Sequence, residues 1–434
     1  MEKYQQYVNS GFEWIGDIPV QWNNLRLRFV CEFRNGYTPS KANPEFWEDG
    51  TIPWYRMEDI RDSGRKLEEA KQYVTKDAIK GGGLFEAGSF ILATTATIGE
   101  HAVLIVDSLA NQRFTNLKIR KSLSNRLLRD YFFYYLFVID DYCKATTKTS
   151  TFPAVSMELL KNCHVVFPLV QEQQAIVDYL DKKCSEIDKV ISAQQKRIAL
   201  LQELKQSVIT HAVTKGLDPN VEMKDSGVEW IGEVPITWEV MKTSLAFKGI
   251  GSGTTPSTSK KEYYDEDGKY WLQTGDLNDG VILDTSKKVS DIAIKVCNLK
   301  FYPKDSVVIA MYGATIGKVG ILGIKTATNQ ACCVLPANKL MIAKYSFYEF
   351  LACKPALLVS AIGGGQPNIS QDTIRKQKIA VPPIEDQKSI ADYLDKKSAS
   401  IDSSISKAQH QVELLQEYKQ CLITEVVTGK RKVS

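Results

Sequence analysis

The sequence contains a long internal duplication, and this feature constrains the fold more than any other. The segment SGFEWIGDIPVQW, from Ser10 to Trp22, returns as SGVEWIGEVPITW from Ser226 to Trp238, with 8 of 13 positions identical. Residues 171–214 align without a gap to residues 385–428, with 23 identities in 44 positions. Because each copy is over 200 residues long, the repeat is a duplicated pair of domains rather than a solenoid.

Shorter motifs recur in the same order between these two long matches. They are GYTPS at 36–40 with GTTPS at 253–257, WYRMEDI at 54–60 with WLQTGDL at 271–277, ATIG at 96–99 with 314–317, and NQ at 111–112 with 329–330. Preserved order indicates that both copies share one fold. The ATIG segments follow apolar runs, and they favour a tight turn after a buried strand over a phosphate-binding loop.

The last part of each copy predicts a long amphipathic helix. Apolar residues recur at steps of three and four in the first copy (Ile176, Leu180, Ile187, Ile191, Ile198, Leu201, Leu204 and Val208) and in the second (Ile390, Leu394, Ile401, Ile405, Val412, Leu415 and Leu422). Gly216 and Gly429 end the two runs. Each helix of about 43 residues is roughly 64 Å long. Antiparallel packing against each other would bury both apolar stripes.

The segments between the helices read as mixed sheet and helix. Runs such as FILATT, AVLIV, SVVIAMY and VGILGI predict strands, while residues 131–139 and 345–358 predict helices packed on the sheet. The sequence therefore predicts an α+β fold: two duplicated globular domains joined by two long antiparallel α-helices in a coiled coil with pseudo-two-fold symmetry. The predicted boundaries are 1–168 for the N-terminal segment and first domain, 169–216 for the first helix, 217–382 for a linker and the second domain, and 383–434 for the second helix.

Composition excludes several classes of protein. No run of eighteen apolar residues occurs, so we expect no membrane association, and the N-terminal MEKYQQYVNS lacks the apolar core of a signal peptide. We therefore expect a cytoplasmic protein. The nine cysteines form no C-x-x-C pair, and with four histidines they indicate no metal site. The net charge of +4 permits a polyanionic partner but does not indicate one.

Catalytic motifs are missing from the sequence. GATIGKV at Gly313 is one residue short of a P-loop, and its Lys318 precedes Val319 instead of Ser or Thr. The glycines at 249, 251 and 253 lack the spacing of a dinucleotide fingerprint. No serine, cysteine or carboxylate constellation is recognisable by spacing. We expect a non-enzymatic chain without a cofactor of its own.

The repeated EWIGxxPxxW, GxTPS, W…D and ATIG…NQ motifs, with the PLVQEQQ and PPIEDQ helix starts, resemble type I restriction–modification specificity subunits. The resemblance covers nearly the whole chain. It implies that each domain reads one half of a bipartite site in double-stranded DNA, and that the helices set the spacer and dock two methyltransferase subunits, with restriction subunits in the full complex. S-adenosylmethionine and ATP with Mg are then expected on those partner subunits, and none on this chain.

Polar side chains on the predicted loops are the candidates for DNA contact. They are Thr38, Ser40, Lys41, Tyr55, Arg56, Thr94, Thr95, Asn111, Gln112 and Arg113 in the first copy, and Thr255, Ser257, Lys260, Lys261, Gln273, Thr274, Tyr312, Asn329 and Gln330 in the second.

Features shared by both copies, such as the paired prolines, tryptophans and aspartates, have a simpler interpretation as parts that hold the fold. Two domains with different targets must differ at base contacts, so non-matching pairs such as Arg56 and Gln273 are the better candidates. No arginine occurs between Arg197 and Arg375. We therefore hypothesise that guanine contacts in the first half-site depend more on arginine.

Candidate partner contacts lie on the repeated helix and N-terminal motifs. They are Trp14, Trp22, Trp230, Trp238, Asp178, Lys182, Asp392 and Lys396. The tryptophans have two open interpretations, as anchors of domain packing or as anchors of a partner. Two other functions also stay open: a specificity subunit of another restriction–modification type, and a scaffold protein that does not bind DNA.

Overall fold

The computed structural model describes residues 3–95, 97–147, 154–359 and 368–433. The chain forms two compact units, one of residues 1–194 and 410–434, the other of residues 195–409. These are called unit 1 and unit 2. Each unit combines one globular domain with the beginning of one long helix and the end of the other. Among the helices of the described residues, none has both the length and the apolar content of a membrane span.

The described residues of unit 1 form twelve strands and the helices of the first copy. They are β1 (Tyr7–Asn9), β2 (Asp17–Pro19), β3 (Asn23–Arg26), α1 (Leu27–Val30), β4 (Cys31–Asn35), β5 (Ile52–Tyr55), α2 (Met57–Asp62), β6 (Lys66–Leu67), β7 (Tyr73–Val74), β8 (Phe90–Ala93), β9 (His101–Leu104), β10 (Leu109–Ala110), β11 (Phe114–Ile119), α3 (Arg129–Thr147), α4 (Met157–Asn162), β12 (His164–Phe167) and α5 (Val170–Lys215), which continues into unit 2.

Unit 2 contains the elements of the second copy. They are β13 (Met223–Asp225), β14 (Glu233–Pro235), β15 (Glu239–Lys242), α6 (Thr243–Ala246), β16 (Gly251–Ser252), β17 (Tyr264–Leu272), β18 (Gly280–Ile282), β19 (Lys287–Val289), α7 (Asp291–Val296), β20 (Phe301–Tyr302), β21 (Val307–Ala310), β22 (Val319–Leu322), β23 (Thr326–Thr328), β24 (Cys332–Leu335), α8 (Ala343–Val359), α9 (Gln371–Lys376), β25 (Lys378–Val381) and α10 (Ile384–Val427), which continues into unit 1.

The two domains repeat one sheet topology, as the duplicated sequence predicts. A five-stranded sheet has the order β4-β11-β8-β9-β6 in unit 1 and β16-β24-β21-β22-β18 in unit 2. A second sheet has the order β7-β5-β10 in unit 1. In unit 2 it has the order β19-β17-β23-β20, in which β20 is an additional strand at the edge. Helices α3 and α8 pack on the five-stranded sheets, since their aromatic residues share a core with those strands. The α+β class is therefore confirmed.

The long helices are slightly longer than the predicted 43 or so residues, at 46 residues for α5 and 44 for α10. In unit 1, Ile187 near the start of α5 shares a core with Leu422 near the end of α10. In unit 2, Ile209 near the end of α5 shares a core with Ile390 near the start of α10. Within each unit the two helices therefore run antiparallel. Leu204, predicted on the buried stripe, is instead 50% exposed, which corrects that assignment.

The ATIG segment of unit 2 forms a tight turn, as predicted, in which the Ile316 N–H donates to the Gly313 carbonyl at 3.1 Å, and both ATIG segments are closed by a longer backbone hydrogen bond. In unit 2 the Gly317 N–H donates to the Ala310 carbonyl at 2.9 Å, and in unit 1 the Gly99 N–H donates to the Ala93 carbonyl at 3.1 Å. Both glycines have a positive φ, +74° and +75°, which other residues rarely adopt. Ala96 of the first segment lies outside the described residues.

Candidate nucleic-acid interface

In unit 1, two adjacent parallel strands end at the same edge of the smaller sheet. Strand β5 pairs with β10 in parallel, with Trp54 opposite Leu109 and Tyr55 opposite Ala110. The residues that follow these strands, Arg56 on one side and 111–113 on the other, therefore leave the sheet together. Polar side chains that are distant in sequence meet at this edge.

The GYTPS loop packs closely against that edge. The Tyr37 N–H donates to the Ala110 carbonyl at 2.8 Å, and the Trp54 indole N–H donates to the Tyr37 carbonyl at 3.0 Å. A Cβ atom on Gly36 would lie 2.1 Å from the Asn111 carbonyl oxygen. Glycine is required here because the loop backbone approaches the neighbouring turn so closely.

Side chains fix the positions of the polar residues along the edge. The Thr38 hydroxyl donates to the Oε1 atom of Gln112. The Asn111 Oδ1 atom accepts from the Arg113 N–H at 2.9 Å. Buried Asp59 accepts from the Arg56 N–H at 2.6 Å. The side chains of Asp59 and Asn111 therefore accept hydrogen bonds from backbone N–H groups. This agrees with the interpretation that residues shared by both copies hold the fold.

Unit 2 builds the same edge from the second copy. Strand β17 pairs in parallel with β23, and the Trp271 indole donates to the Thr254 carbonyl at 3.1 Å. The Thr255 hydroxyl donates to the Oε1 atom of Gln330. The Gln273 N–H donates to Asp276 at 2.8 Å. The close approach of the loop also recurs, with 1.7 Å between a Cβ on Gly253 and the Thr328 carbonyl oxygen.

Most of the predicted DNA-contact residues have accessible side chains. In unit 1, Ser40, Lys41, Gln112 and Arg113 are exposed, and Thr38, Arg56, Thr95 and Asn111 are half-buried; in unit 2, Thr255, Ser257, Lys260, Lys261 and Gln330 are exposed, and Gln273, Thr274, Tyr312 and Asn329 are half-buried.

Two of the predicted contacts need correction. Tyr55 is fully buried, and Thr94 is 8% exposed with its hydroxyl directed to the Arg113 carbonyl at 3.3 Å. Both belong to strand ends rather than to the outer surface, so neither presents a surface to DNA. Burial also raises the pKa of the Tyr55 phenol above its ordinary value, which keeps that phenol neutral.

The outward side chains that differ between the copies are the candidates for sequence discrimination. Arg56 corresponds to Gln273, and the exposed Arg113 corresponds to Ala331, which is 5% exposed. The Arg56 guanidinium lies 2.5 Å from the Glu58 carboxylate, which holds it beside the edge. Thr95 corresponds to Tyr312, and each forms an isolated bridge in its own unit, with Ala154 and Asn368.

Two aromatic residues that support the loop were missed in the sequence. The Trp47 indole donates to the Ser40 carbonyl at 3.1 Å and packs edge-on against Trp54. In unit 2 the Tyr264 hydroxyl donates to the Pro256 carbonyl at 2.7 Å. Each lies seven positions before the shared tryptophan. The sequence signal that could have identified them is an aromatic residue at the same distance before the shared tryptophan in both copies.

Lys260, on the loop that follows the GTTPS motif of unit 2, remains charged. Lys260 donates to the Tyr263 hydroxyl at 3.1 Å, and this hydrogen bond raises the pKa of its ammonium group. Lys260 also lies 5.0 Å from the centre of the Tyr263 ring. No group of three or more potential metal ligands occurs among the described residues. The edges therefore offer hydrogen-bond donors and positive charge.

The predicted partner-contact residues divide into exposed and buried sets. Asp178, Lys182, Asp392 and Lys396 are exposed on the long helices. Within the repeated DYLDKK segment, Asp181 accepts from the Tyr134 hydroxyl at 2.6 Å, and Asp395 accepts from the Tyr348 hydroxyl at 2.8 Å. The same contact therefore holds the segment against the domain in both units.

The tryptophans of the N-terminal motifs take the packing interpretation. Trp22 and Trp238 are 6% and 2% exposed, and the Trp238 indole donates to Asp386 at 3.1 Å. Their assignment as partner contacts is therefore corrected. Trp14 stacks on Tyr142 at 4.5 Å between ring centres, and both Trp14 and Trp230 are half-buried.

A chain with two equivalent polar edges, each on a domain attached to a long helix, has the organisation of a two-site recognition protein. The model of the type I restriction modification DNA specificity domain matches residues 19–199 and 235–414. The chain belongs to this family, with one copy of the domain in each half.

Individual relatives agree with the family. The EcoprrI specificity subunit of the type I restriction enzyme from Escherichia coli is 42% identical over 172 residues, which cover 38% of this chain and 42% of that protein. The MjaIX specificity subunit from Methanocaldococcus jannaschii is 24% identical over 429 residues, which cover 96% and 95%. The chain thus spans less than half of the first relative and nearly all of the second.

A solved structure shares the fold. A chain from a study of complex assembly and conformational transition in a type I R-M system superimposes with a TM-score of 0.69 at 16% sequence identity. The superposition covers 94% of this chain and 98% of that chain. The two-domain architecture with long helices is therefore an architecture known from experiment.

Proposed function

We propose that this chain is the DNA specificity subunit of a type I restriction–modification complex. Each polar edge reads one half of a bipartite site in double-stranded DNA. The observation that carries the proposal is the duplicated edge itself: the supporting contacts are the same in both units, while outward side chains such as Arg56 and Gln273 differ. Supporting contacts that both copies share, combined with outward side chains that differ, suit two domains that recognise different DNA sequences.

The long helices are proposed to set the spacer between the half-sites. Half-sites one turn of DNA apart are separated by roughly 34–36 Å, and two readers must be held at a fixed distance and phase to read both. A single helix continues from each domain into the other unit. A stiff helical connection of this kind supports a fixed spacer.

The exposed charged residues of the repeated helix segment are proposed to dock two methyltransferase subunits. Asp178 and Lys182 occupy the same repeat positions as Asp392 and Lys396, and Tyr134 and Tyr348 hold both segments against their domains by equivalent contacts. Two equal surfaces suit two copies of one partner. Reversing Asp178 and Lys182 together should reduce bound methyltransferase from two copies to one, measured by native mass spectrometry; two bound copies would contradict this assignment.

The catalytic chemistry is proposed to belong to other subunits. S-adenosylmethionine is expected on the methyltransferase subunits, and ATP with Mg on restriction subunits that join the complex. The chain itself acts as a non-catalytic subunit in the cytoplasm.

Long-read methylation mapping tests the proposed function. Cells express this chain together with its proposed methyltransferase partner, and modified adenines are mapped across the genome. We expect one bipartite motif with a modified adenine in each half and a spacer of constant length. A matched strain that lacks this chain should show no such motif. Modification without a two-part motif, or an unchanged motif in the matched strain, would refute the proposal.

A further inference from the structure

One side-chain contact at the polar edge is identical in both units although the flanking outward residues differ. Thr38 donates to Oε1 of Gln112 in unit 1, and Thr255 donates to Oε1 of Gln330 in unit 2. Both glutamines are exposed, whereas the residues that follow them are the dissimilar Arg113 and Ala331. This contact is called the Thr–Gln pair.

The hydrogen bond determines what each glutamine can still recognise. With its Oε1 atom accepting from a threonine, each amide keeps both N–H donors free and has one acceptor lone pair left. Bidentate recognition of adenine would require the same Oε1 atom to accept a second hydrogen bond, whereas a phosphate oxygen requires only the free N–H donors. The donors are not engaged elsewhere, since no other described residue hydrogen-bonds the Nε2 atom of Gln112 or Gln330.

The frame around the pair holds these donors in a fixed place. Gly36 and Gly253, two positions before the threonines, pack against the turns that carry the glutamines. A Cβ atom at these glycines would lie 2.1 Å from a backbone oxygen in unit 1 and 1.7 Å in unit 2. The loop and the turn therefore move as one body. Lys41 in unit 1 and Lys260 in unit 2 add positive charge to the same loops.

We propose that the two Thr–Gln pairs are phosphate clamps, in which Gln112 and Gln330 donate to backbone phosphate oxygens of the first and second half-sites. This inference rests on the proposed function. The half-sites of a bipartite target differ in their bases but share the phosphodiester backbone. An exposed N–H donor group that recurs at both edges matches this shared acceptor. Thr38 and Thr255 are positioning residues that orient the amides.

The test measures affinity and sequence preference separately. The chain in complex with its methyltransferase is titrated against the cognate duplex and against duplexes that carry one changed base pair at each specified position. Gln112→Ala and Gln330→Ala should each weaken binding to every duplex about 10-fold, as expected for loss of one hydrogen bond to a charged group. The order of preference among the duplexes should not change.

Two further variants separate a clamp from a structural contact. Gln112→Glu retains the acceptor for Thr38 but replaces the donors with a negative charge, so it should bind more weakly than Gln112→Ala. Gln5→Ala changes an exposed glutamine far along the sequence from the edge and is the matched control, with unchanged affinity expected. Thermal unfolding verifies that all variants are folded.

Backbone neutralisation supplies the decisive measurement. A set of duplexes is made in which each duplex carries one methylphosphonate, which removes the negative charge of a single phosphate. At one phosphate of the first half-site, this change should weaken DNA binding by the wild type but not by Gln112→Ala. The equivalent site for Gln330→Ala should lie in the second half. If the wild type reads its motif, two results would overturn the phosphate clamp. One is full DNA affinity in the folded glutamine variants, and the other is a changed preference at a single base pair. A wild type without sequence preference would instead refute the proposed function.

Discussion

The Lys419 ammonium group lies 2.7 Å from the Asp188 carboxylate in unit 1, and in unit 2 Lys205 lies 2.8 Å from Asp402. In the repeat, Asp188 corresponds to Asp402 and Lys205 to Lys419. Each ion pair therefore joins the aspartate of one helix copy to the lysine of the other copy. Each unit therefore pairs the helices in the same antiparallel register. As largely exposed pairs, these contacts each contribute only about 0.2–1 kcal/mol, and the apolar seam supplies most of the stability.

This register leads to a prediction about spacer length. Four residues inserted after Ala193 and four after Lys407 lengthen both helices between their ion pairs by about 6 Å and leave both pairs intact. The recognised spacer should become longer by about one or two base pairs, as read by methylation mapping. Insertion after Ala193 alone shifts one helix against the other and should reduce both stability and specificity. An unchanged spacer in the double insertion would show that the helices do not set it.

The non-matching arginines should control the first half-site only. Arg113→Ala and Arg56→Gln each install the residue of the second copy. Each should cost about 1–3 kcal/mol of discrimination at one base pair of the first half-site, because a guanidinium donates two hydrogen bonds to guanine. Methylation mapping should show a relaxed position there and an unchanged second half. Arg129→Ala, at an exposed arginine of α3, is the control; an unaltered motif in both arginine variants would contradict the assignment.

Much of the fold was predictable because the duplication tests each pattern twice. The long helices follow from uninterrupted apolar spacing that ends at Gly216 and Gly429. The position of Leu204 was not predictable, since a helical stripe wider than its partner leaves some apolar residues outside the seam. Periodicity shows which face is apolar but not how much of that face a neighbour covers.

The candidate site was predictable in outline but not in its accessibility. The matching of the two copies identified the loops and turns that form each edge. It did not show that Tyr55 and Thr94 lie inside the domain, because strand ends and loop starts look alike in sequence. The Thr–Gln pair was also beyond prediction, since its members are 74 positions apart in unit 1. They meet because β4 pairs with β11 and the loop after β4 hydrogen-bonds to Ala110 at the end of β10.

Substitution of the packed glycines should disable one edge at a time. Gly36→Ala places a methyl group 2.1 Å from the Asn111 carbonyl oxygen, and a backbone atom cannot move aside as a flexible side chain does. We expect a loss of about 1–3 kcal/mol in the free energy of unfolding and a loss of recognition in the first half-site. Gly81→Ala, whose added Cβ meets nothing within 4 Å, should behave like wild type. Equal denaturation midpoints for the two variants would contradict the prediction.

A buried carboxyl group should give unit 2 a distinctive pH dependence. Glu349 is fully buried in α8, where its Oε1 atom accepts from the Ala380 N–H at 2.8 Å, and burial raises its pKa to about 8. Unfolded, the group loses its proton near its ordinary value of 4.5. Between these values the folded unit binds the additional proton. The free energy of unfolding should therefore decrease as pH rises from about 4.5 to about 8 and stay level above.

Glu349→Gln removes this titration while it keeps an oxygen acceptor for Ala380. The variant should lose the decrease in stability between these pH values and should be more stable than wild type at pH 8.5, by about 1–3 kcal/mol, because no charge needs to be buried. Urea denaturation followed by circular dichroism from pH 5 to 9 measures both effects. Glu239→Gln, an exposed glutamate of unit 2, should retain the wild-type profile. If wild type and Glu349→Gln gave parallel profiles, the Glu349 carboxyl group would not be the source of the pH dependence.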